Sequence, residues 1–192
     1  MKMSLCTLAL LLLTLTVSEA TAQDTSRADV AIAYTYIHSN APPSGCGCFN
    51  FNGGSISASW KFDPRWSIVG DLDIAHAGNI DSTTLSPTMT TYLFGPRYRI
   101  AKGSHRTVPF GNVLIGGAHA SNGYFPNGAT SSTSATGFAM SAGGGIDFNV
   151  GKHLAIRPIE AEYLLTTFPN GVNGRQNNFR ITTGLVFRFG KR

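Results

Sequence analysis

Residues 178–189, NFRITTGLVFRF, form the stretch that decides the fold of this chain. Alternate positions give an apolar set that includes Phe179 and Leu185, and a second set that includes Arg180 and Arg188. A period of two predicts a β-strand whose two faces meet different surroundings. A soluble strand would bury the apolar face in a core, whereas a transmembrane strand would turn it to lipid and point the arginines into a barrel lumen.

Seven more segments repeat this alternation, and no stretch shows sustained helical periodicity. Together with residues 178–189 there are eight segments. In chain order they cover residues 30–36, 55–62, 66–74, 91–100, about 108–118, 138–150, 157–165 and 178–189. The second and third, fourth and fifth, and sixth and seventh segments are joined by short turns, and the other connections are long. Outer-membrane barrels show this alternation, and a soluble β-sandwich has no reason to sort its connections in this way. The pattern therefore predicts an all-β fold, an eight-stranded antiparallel up-and-down transmembrane β-barrel.

Aromatic residues fall near the two ends of these segments. Those near the short turns are Trp60, Phe62, Trp66, Tyr98, Phe148, Phe187 and Phe189. Those near the long connections are Tyr34, Tyr36, Tyr92, Phe138, Tyr163 and Phe179. Two such girdles are expected where a barrel crosses the two membrane interfaces. A lipocalin-like soluble barrel, the alternative, would turn its aromatic residues inward around a ligand.

Three details of the strands are less regular. In the fifth segment apolar residues occupy both faces, so the alternation does not assign its lipid side. Pro96 cannot donate a ladder hydrogen bond, which predicts a local bulge and makes the facing of Arg97 and Arg99 less secure. Arg157 has the parity of the apolar set, and it could extend to the interface or be redirected at Pro158.

The amino-terminal residues predict export. Lys2 precedes an apolar run over residues 5–17, and Ala20-Thr21-Ala22 follows as a small-x-small cleavage site, so residues 1–22 are interpreted as a signal peptide. The run is too short to serve comfortably as a membrane anchor. Residues 23–192 then form a single barrel domain. Only 13% of the residues are charged, and the bases behind the net charge of +5 are scattered singly, which argues against a nucleic-acid partner.

The chain resembles the small OmpA/OmpX-type, opacity-protein-like eight-stranded outer-membrane barrels. The resemblance rests on residues 92–98 (YLFGPRY), 143–148 (GGGIDF), 157–163 (RPIEAEY) and the last strand. It implies a monomer without a cofactor, exported to the outer membrane of a Gram-negative bacterium and surrounded by outer-membrane lipids and lipopolysaccharide. It also implies that the C-terminal strand engages the barrel-assembly machinery. The expected role is non-enzymatic: envelope integrity, adhesion or surface recognition through four extracellular loops, with a narrow pore as one alternative.

Charged residues concentrate on the face opposite the apolar set. The predicted lumen network comprises Asp71, Asp73, Arg97, Arg99, Asp147, Glu160, Glu162, Arg180 and Arg188, with Lys61 beside them. Charges in a confined interior need partners, and eight strands leave an interior only wide enough for side chains to fill. These residues are therefore expected to pair across the lumen and block its axis. An acid–base role for Glu160 and Glu162 is the weaker interpretation.

His119 and Ser121 raise an enzymatic alternative. Their spacing resembles the His-x-Ser element of outer-membrane lipid A 3-O-deacylases, in which the histidine activates the serine and a downstream glutamate orients the histidine. No Asp or Glu occurs between Ser121 and Asp147, so the orienting carboxylate is missing from this region. The sequence therefore favours a histidine at a strand end and a serine in a loop over a catalytic pair.

Cys46 and Cys48 lie in the first outer loop, where export favours oxidation. Their spacing closes a very small ring, so a disulfide between them would be strained and labile. We expect this disulfide, with free thiols as the second alternative. A metal site with His38 and His76 is the weakest, because the ligands would come from separate segments without a recognised spacing.

Overall fold

The computed structural model describes residues 26–41, 47–78, 80, 85–100, 106–127 and 129–190. The predicted signal peptide lies outside the described residues. The strands are β1 (Ala28–Ala41), β2 (Gly47–Lys61), β3 (Trp66–His76), β4 (Thr88–Arg99), β5 (Thr107–Ser121), β6 (Phe125–Asn127), β7 (Thr130–Ser132), β8 (Ala135–Asn149), β9 (Leu154–Thr166) and β10 (Gln176–Phe189). Several of them extend past their predicted limits at the end with the long connections. No helix in these ranges is long and apolar enough to cross a membrane.

Eight of the strands close into an antiparallel barrel, which confirms the predicted fold. Their order around the ring is β1-β10-β9-β8-β5-β4-β3-β2, and β6 and β7 form a separate short hairpin in the connection between β5 and β8. The sequence did not predict this hairpin. Following the strand register once around the ring leads from Asp29 to Ser39 on the same strand, a displacement of ten residues. With about 3.3 Å per residue and about 4.8 Å between strands, that displacement gives a tilt of roughly 40°.

The outside of the barrel is apolar between its two ends. Ile32, Leu72, Phe94 and Leu185 are between 43% and 59% exposed, although a water-soluble protein would bury residues of this kind. Closure leaves no free strand edge, as a lipid environment requires. The predicted aromatic residues lie at the two ends of this surface, and Tyr34 there donates a hydrogen bond to the side-chain oxygen of Asn52.

The fifth barrel strand, β5, has its lipid side settled by the structure. Val113 and Ile115 are about half exposed, whereas Phe110 and Leu114 are buried in the interior. The outward pair continues the apolar surface of the neighbouring strands. Asn112 is buried beside Phe110, so the polar group follows the inward face.

The bulge predicted at Pro96 is absent, and that prediction is wrong. The register between β3 and β4 runs without a shift from Trp66↔Tyr98 through Ile68↔Pro96. Pro96 lies on the outer face, at an interruption of the ladder between β4 and β5, and the register is the same on both sides of it, from Phe94↔Ile115 to Arg97↔Asn112. Arg97 and Arg99 therefore keep their alternation, and both side chains are buried in the interior.

A bulge occurs instead in β9. The register against both neighbouring strands shifts by one residue there, and Pro158 and Ile159 face outward in succession. A single extra residue reverses the facing of everything on one side of it. As a result, Arg157 and Glu160 both point inward. Of the two alternatives for Arg157, extension to the interface or redirection at Pro158, the structure shows the redirection.

Candidate functional site

The central part of the lumen is organised around Glu160. Its carboxylate accepts hydrogen bonds from Arg97 Nη2 at 3.0 Å, Asn112 Nδ2 at 2.9 Å and Arg157 Nη1 at 2.8 Å. Arg157 also donates two hydrogen bonds to Asp147, of 2.8 and 3.2 Å. Charge-assisted bonds of this kind hold both partners firmly. Glu160 therefore has no free carboxylate oxygen for acid–base work.

The ring of Phe110 packs against this cluster. The guanidinium carbons of Arg97 and Arg157 lie 4.2 and 4.6 Å from its centroid. An aromatic face attracts cations and fills space at the same time. Opposite the two glutamates of β9 lie glycines of β8, and a Cβ at Gly143 would come within 2.2 Å of the Ala161 carbonyl oxygen and 2.9 Å of Glu162 Cγ. Glycine at position 143 thus permits the close approach of β8 and β9 beside Glu162.

A second cluster surrounds Arg180, which is 2% exposed. Its Nε and Nη2 contact Glu162 Oε2 at 2.7 and 2.5 Å, its Nη1 contacts Asp71 Oδ1 at 2.8 Å, and Asp73 lies 3.9 Å away. Ser141 donates a hydrogen bond to the other oxygen of Glu162. One guanidinium therefore neutralises part of the charge of three acids that would otherwise repel each other.

A third cluster lies toward the short-turn end of the barrel. Asp29 accepts from Lys61 Nζ at 3.0 Å and from Arg99, and Ser26 bridges the aspartate and the lysine. Arg188 is paired with Asp29 in the register of β1 and β10 and is also buried. Asp29 is absent from the predicted network because the predicted first strand begins at residue 30, two residues after the start of β1 at Ala28. Its alternation with Ala31 would have placed it inside.

Ion pairs of all three clusters cross the lumen. Arg97 and Glu160, Arg99 and Asp29, and Arg180 and Asp71 each join strands three positions apart in the ring, so these ion pairs cross the interior. The described interior carries six acids and six bases: Asp29, Asp71, Asp73, Asp147, Glu160, Glu162, Lys61, Arg97, Arg99, Arg157, Arg180 and Arg188. The structure brings every residue of the predicted network into this interior and adds Asp29 and Arg157.

Toward the long-loop end the interior becomes apolar. Its buried cluster comprises Ile37, Phe51, Val69, Ala75, Ala77, Met89, Leu93, Leu114, Ala118, Ala120, Phe125, Ala135, Ala139, Leu164 and Phe168. This change was not predicted from the sequence. A signal was available, because the inward positions of β2 run from Lys61 through serines to Phe51 and Phe49, and those of β9 run from charged residues to Leu164.

Above this apolar cluster is a cavity of about 420 Å³ at the outer mouth of the barrel. Phe51, Met89 and Phe168 contribute to its lining and are almost completely buried. Phe125 of the β6–β7 hairpin packs against Phe168 with ring centroids 5.6 Å apart. The hairpin therefore helps to enclose the mouth, and among the described residues that line the cavity none is charged.

His119 and Ser121 lie on the outward side of β5 at its loop end. His119 Nδ1 is 2.8 Å from Thr136 Oγ1 on the neighbouring strand. The same cross-strand arrangement recurs at His76 with Thr88, at 3.0 Å. The acids within the described ranges lie in the lumen, apart from one in the turn between β2 and β3, so none stands beside His119 to orient it.

The cysteine prediction falls partly beyond the described ranges. Cys48 is exposed at the start of β2, and Cys46 lies outside the described residues, so the disulfide stays a prediction. His38 Nδ1 contacts the side-chain oxygen of Asn50 at 2.7 Å, and His76 contacts threonine as described above. In the described part of the chain, no three or more His, Cys, Asp or Glu residues are grouped so as to hold a metal ion.

The sequence profile of a family described as "Outer membrane protein beta-barrel domain" matches residues 7–189. No curated protein matches the chain.

Solved structures with a similar fold come from several Gram-negative bacteria. Neisserial surface protein A aligns with a TM-score of 0.67 at 13% identity, covering 85% of this chain and 98% of its own. Ail, the attachment invasion locus protein of Yersinia pestis, solved with the heparin analogue sucrose octasulfate, aligns at 0.52 and 19% identity, covering 85% and 99%. OprG of Pseudomonas aeruginosa aligns at 0.52 and 9% identity, covering 88% and 98%. At these identities the likeness concerns the fold.

Proposed function

Because this chain belongs to the outer membrane protein β-barrel family and lies in the outer membrane of a Gram-negative bacterium, we propose that it is a non-enzymatic surface protein that acts through its extracellular end. Surface recognition is the role we favour among adhesion, envelope integrity and recognition. The two alternatives are a narrow pore and a lipid A deacylase that uses His119 and Ser121.

The observation that carries the proposal is the set of ion pairs across the lumen. Arg180 is joined to acids on β3 and β9, and Glu160 to bases on β4 and β9. Opening a water-filled path would require these buried charges to separate from their partners, which is strongly unfavourable. A protein whose lumen is crossed by such ion pairs would meet extracellular partners at its loops.

The described outer segments also bear on what is recognised. In the connections at that end, the structure describes residues 77–78, 85–87, 122–127, 129–134 and 167–175. Arg175 is the one charged residue in these ranges. Binding of a polyanion depends on clusters of basic side chains. Ail was solved with a heparin analogue, but the surface here supports an uncharged target.

The test combines two measurements on the purified, reconstituted protein and on cells that produce it. In planar bilayers we expect no steady conductance above that of protein-free membranes. Mass spectrometry of lipid A should give the same acyl pattern with and without the protein, and the variant His119→Ala should leave that pattern unchanged. A stable open channel would establish the pore, and loss of an acyl chain that depends on His119 would establish the enzyme; either result refutes the proposal.

A further inference from the structure

We infer that the cavity at the extracellular mouth is a binding site for the alkyl chain of an uncharged, single-chain amphiphile. The inference rests on the proposed function, since it names the ligand class that the outer end would take. The cavity of about 420 Å³ falls in the range of about 300–1,000 Å³ that is usual for small-molecule sites.

The cavity is closed toward the membrane interior. Met89 and Phe168 are each 1% exposed and Phe51 is 4% exposed, and beneath them Leu114 and Leu164 are also buried. These side chains separate the cavity from the ion pairs lower in the lumen. A ligand would therefore enter from the outside and stop at an apolar floor, and the site would bind without conducting.

Asn170, the buried polar side chain of the described lining, is committed to the protein itself. Asn170 is buried, and its side-chain oxygen accepts hydrogen bonds from the backbone N–H groups of Val172, Asn173 and Gly174, at 3.0, 2.9 and 2.9 Å. Its Nδ2 donates to Asn173 Oδ1 and to the Arg175 carbonyl. This amide fixes the loop and has little capacity left for a ligand.

The chemistry of the ligand follows from this lining. A charged group inside the cavity would lose its hydration without gaining a counter-charge from the described lining, which contains no acidic or basic side chain. An alkyl chain has no such hydration to lose in the cavity, and its transfer out of water is favourable. Tyr124 is part of the lining and 63% exposed, so its hydroxyl is placed to meet a neutral polar head at the rim.

The two methionines outside the predicted signal peptide provide matched reporters. Met89 contributes to the cavity floor, whereas Met140 shares the outward face of β8 with Phe138. With methionine methyl groups labelled with carbon-13 and the protein in lipid nanodiscs, 1-decanol is titrated and both methyl signals are followed by NMR. We expect a saturable shift at Met89, while Met140 reports only the gradual partition of decanol into the lipid.

Two comparisons sharpen the result. Ionised decanoate should bind at least about tenfold more weakly than decanol, because its carboxylate finds no cation in the site. The variant Phe49→Glu, which places a charge at the half-buried edge of the cavity, should weaken decanol binding at least about tenfold. Val172→Glu, at a 65% exposed loop position outside the lining, should leave binding unchanged. An unchanged Met140 signal shows that each variant is folded, and Phe49→Leu should retain binding.

The inference fails if Met89 responds to decanol no more than Met140, or if decanoate and decanol bind equally well. Conductance of the same preparation is measured in planar bilayers with and without decanol. A lack of decanol binding with a closed barrel overturns the site and leaves the proposed function standing. A steady conductance overturns the proposed function whatever Met89 shows.

Discussion

Replacing Arg180 with alanine should destabilise the barrel more than any other single change to the lumen that we consider. Arg180 is 2% exposed and lies within 4 Å of Asp71, Asp73 and Glu162. Without it three acids would share a buried region with no nearby base in that cluster. Removal of one partner of a buried ion pair costs about 3–5 kcal/mol of unfolding free energy, because the remaining charge is left uncompensated.

Arg188→Ala is the matched control. Arg188 is as deeply buried as Arg180, but its Nε and Nη2 make no hydrogen bond in the structure, so its loss leaves no acid without a close partner. Urea unfolding of the protein in lipid vesicles gives the unfolding free energy of each variant. We expect the loss for Arg180→Ala to exceed the loss for Arg188→Ala by at least about 1–2 kcal/mol.

A double-mutant cycle tests the mechanism of that loss. Adding Glu162→Gln to Arg180→Ala removes one of the acids left without a partner, so the double variant should be more stable than the sum of the two single effects implies. Additive effects, or equal losses for Arg180→Ala and Arg188→Ala, would refute the interpretation that Arg180 neutralises the acids around it.

Two further predictions concern the membrane. Leu185 faces outward and is 44% exposed, so Leu185→Arg should cost about 2–4 kcal/mol of unfolding free energy in bilayers, while Thr182→Arg on the inward face should give a different effect; near-zero losses for both would contradict the lipid-facing assignment. With Cys46 and Cys48 replaced, Thr130→Cys should react with a membrane-impermeant reagent on intact cells and Lys152→Cys should not; the reverse pattern would invert the orientation.

The alternation of faces accounts for how much of the fold could be predicted from the sequence. A period of two sets the facing of every residue in a strand once one is known, so the positions of Asp71, Arg180 and Glu162 followed directly. Arg157 could not be placed in this way, because the extra residue in β9 reverses its parity. Pro158 gave a local reason for a bulge, but Pro96 gave the same reason and produced none.

The cavity could not be predicted from strand periodicity at all. It depends on how the β6–β7 hairpin and the loop after β9 fold over the mouth, and contacts such as Phe125 with Phe168 join residues far apart in the sequence. The apolar character of the upper interior could have been predicted, since the inward positions of β2 change from Lys61 to Phe51. What remained inaccessible was the shape that the loops enclose.

Stability alone does not explain why the interior is divided into a charged part and an apolar part. Apolar packing is often at least as stabilising as a buried ion pair, and the upper interior shows that this chain can fill the barrel with side chains such as Leu114 and Leu164. Charges lower in the lumen instead specify facing and register. A slip by one residue in β10 would turn Arg180 and Arg188 toward lipid, where a basic side chain is unfavourable to a degree that grows with its depth in the membrane. An apolar interior would impose no such penalty, because the outer face is apolar as well. The ion pairs therefore select one register against its alternatives, and they leave the outer mouth free to form an apolar cavity.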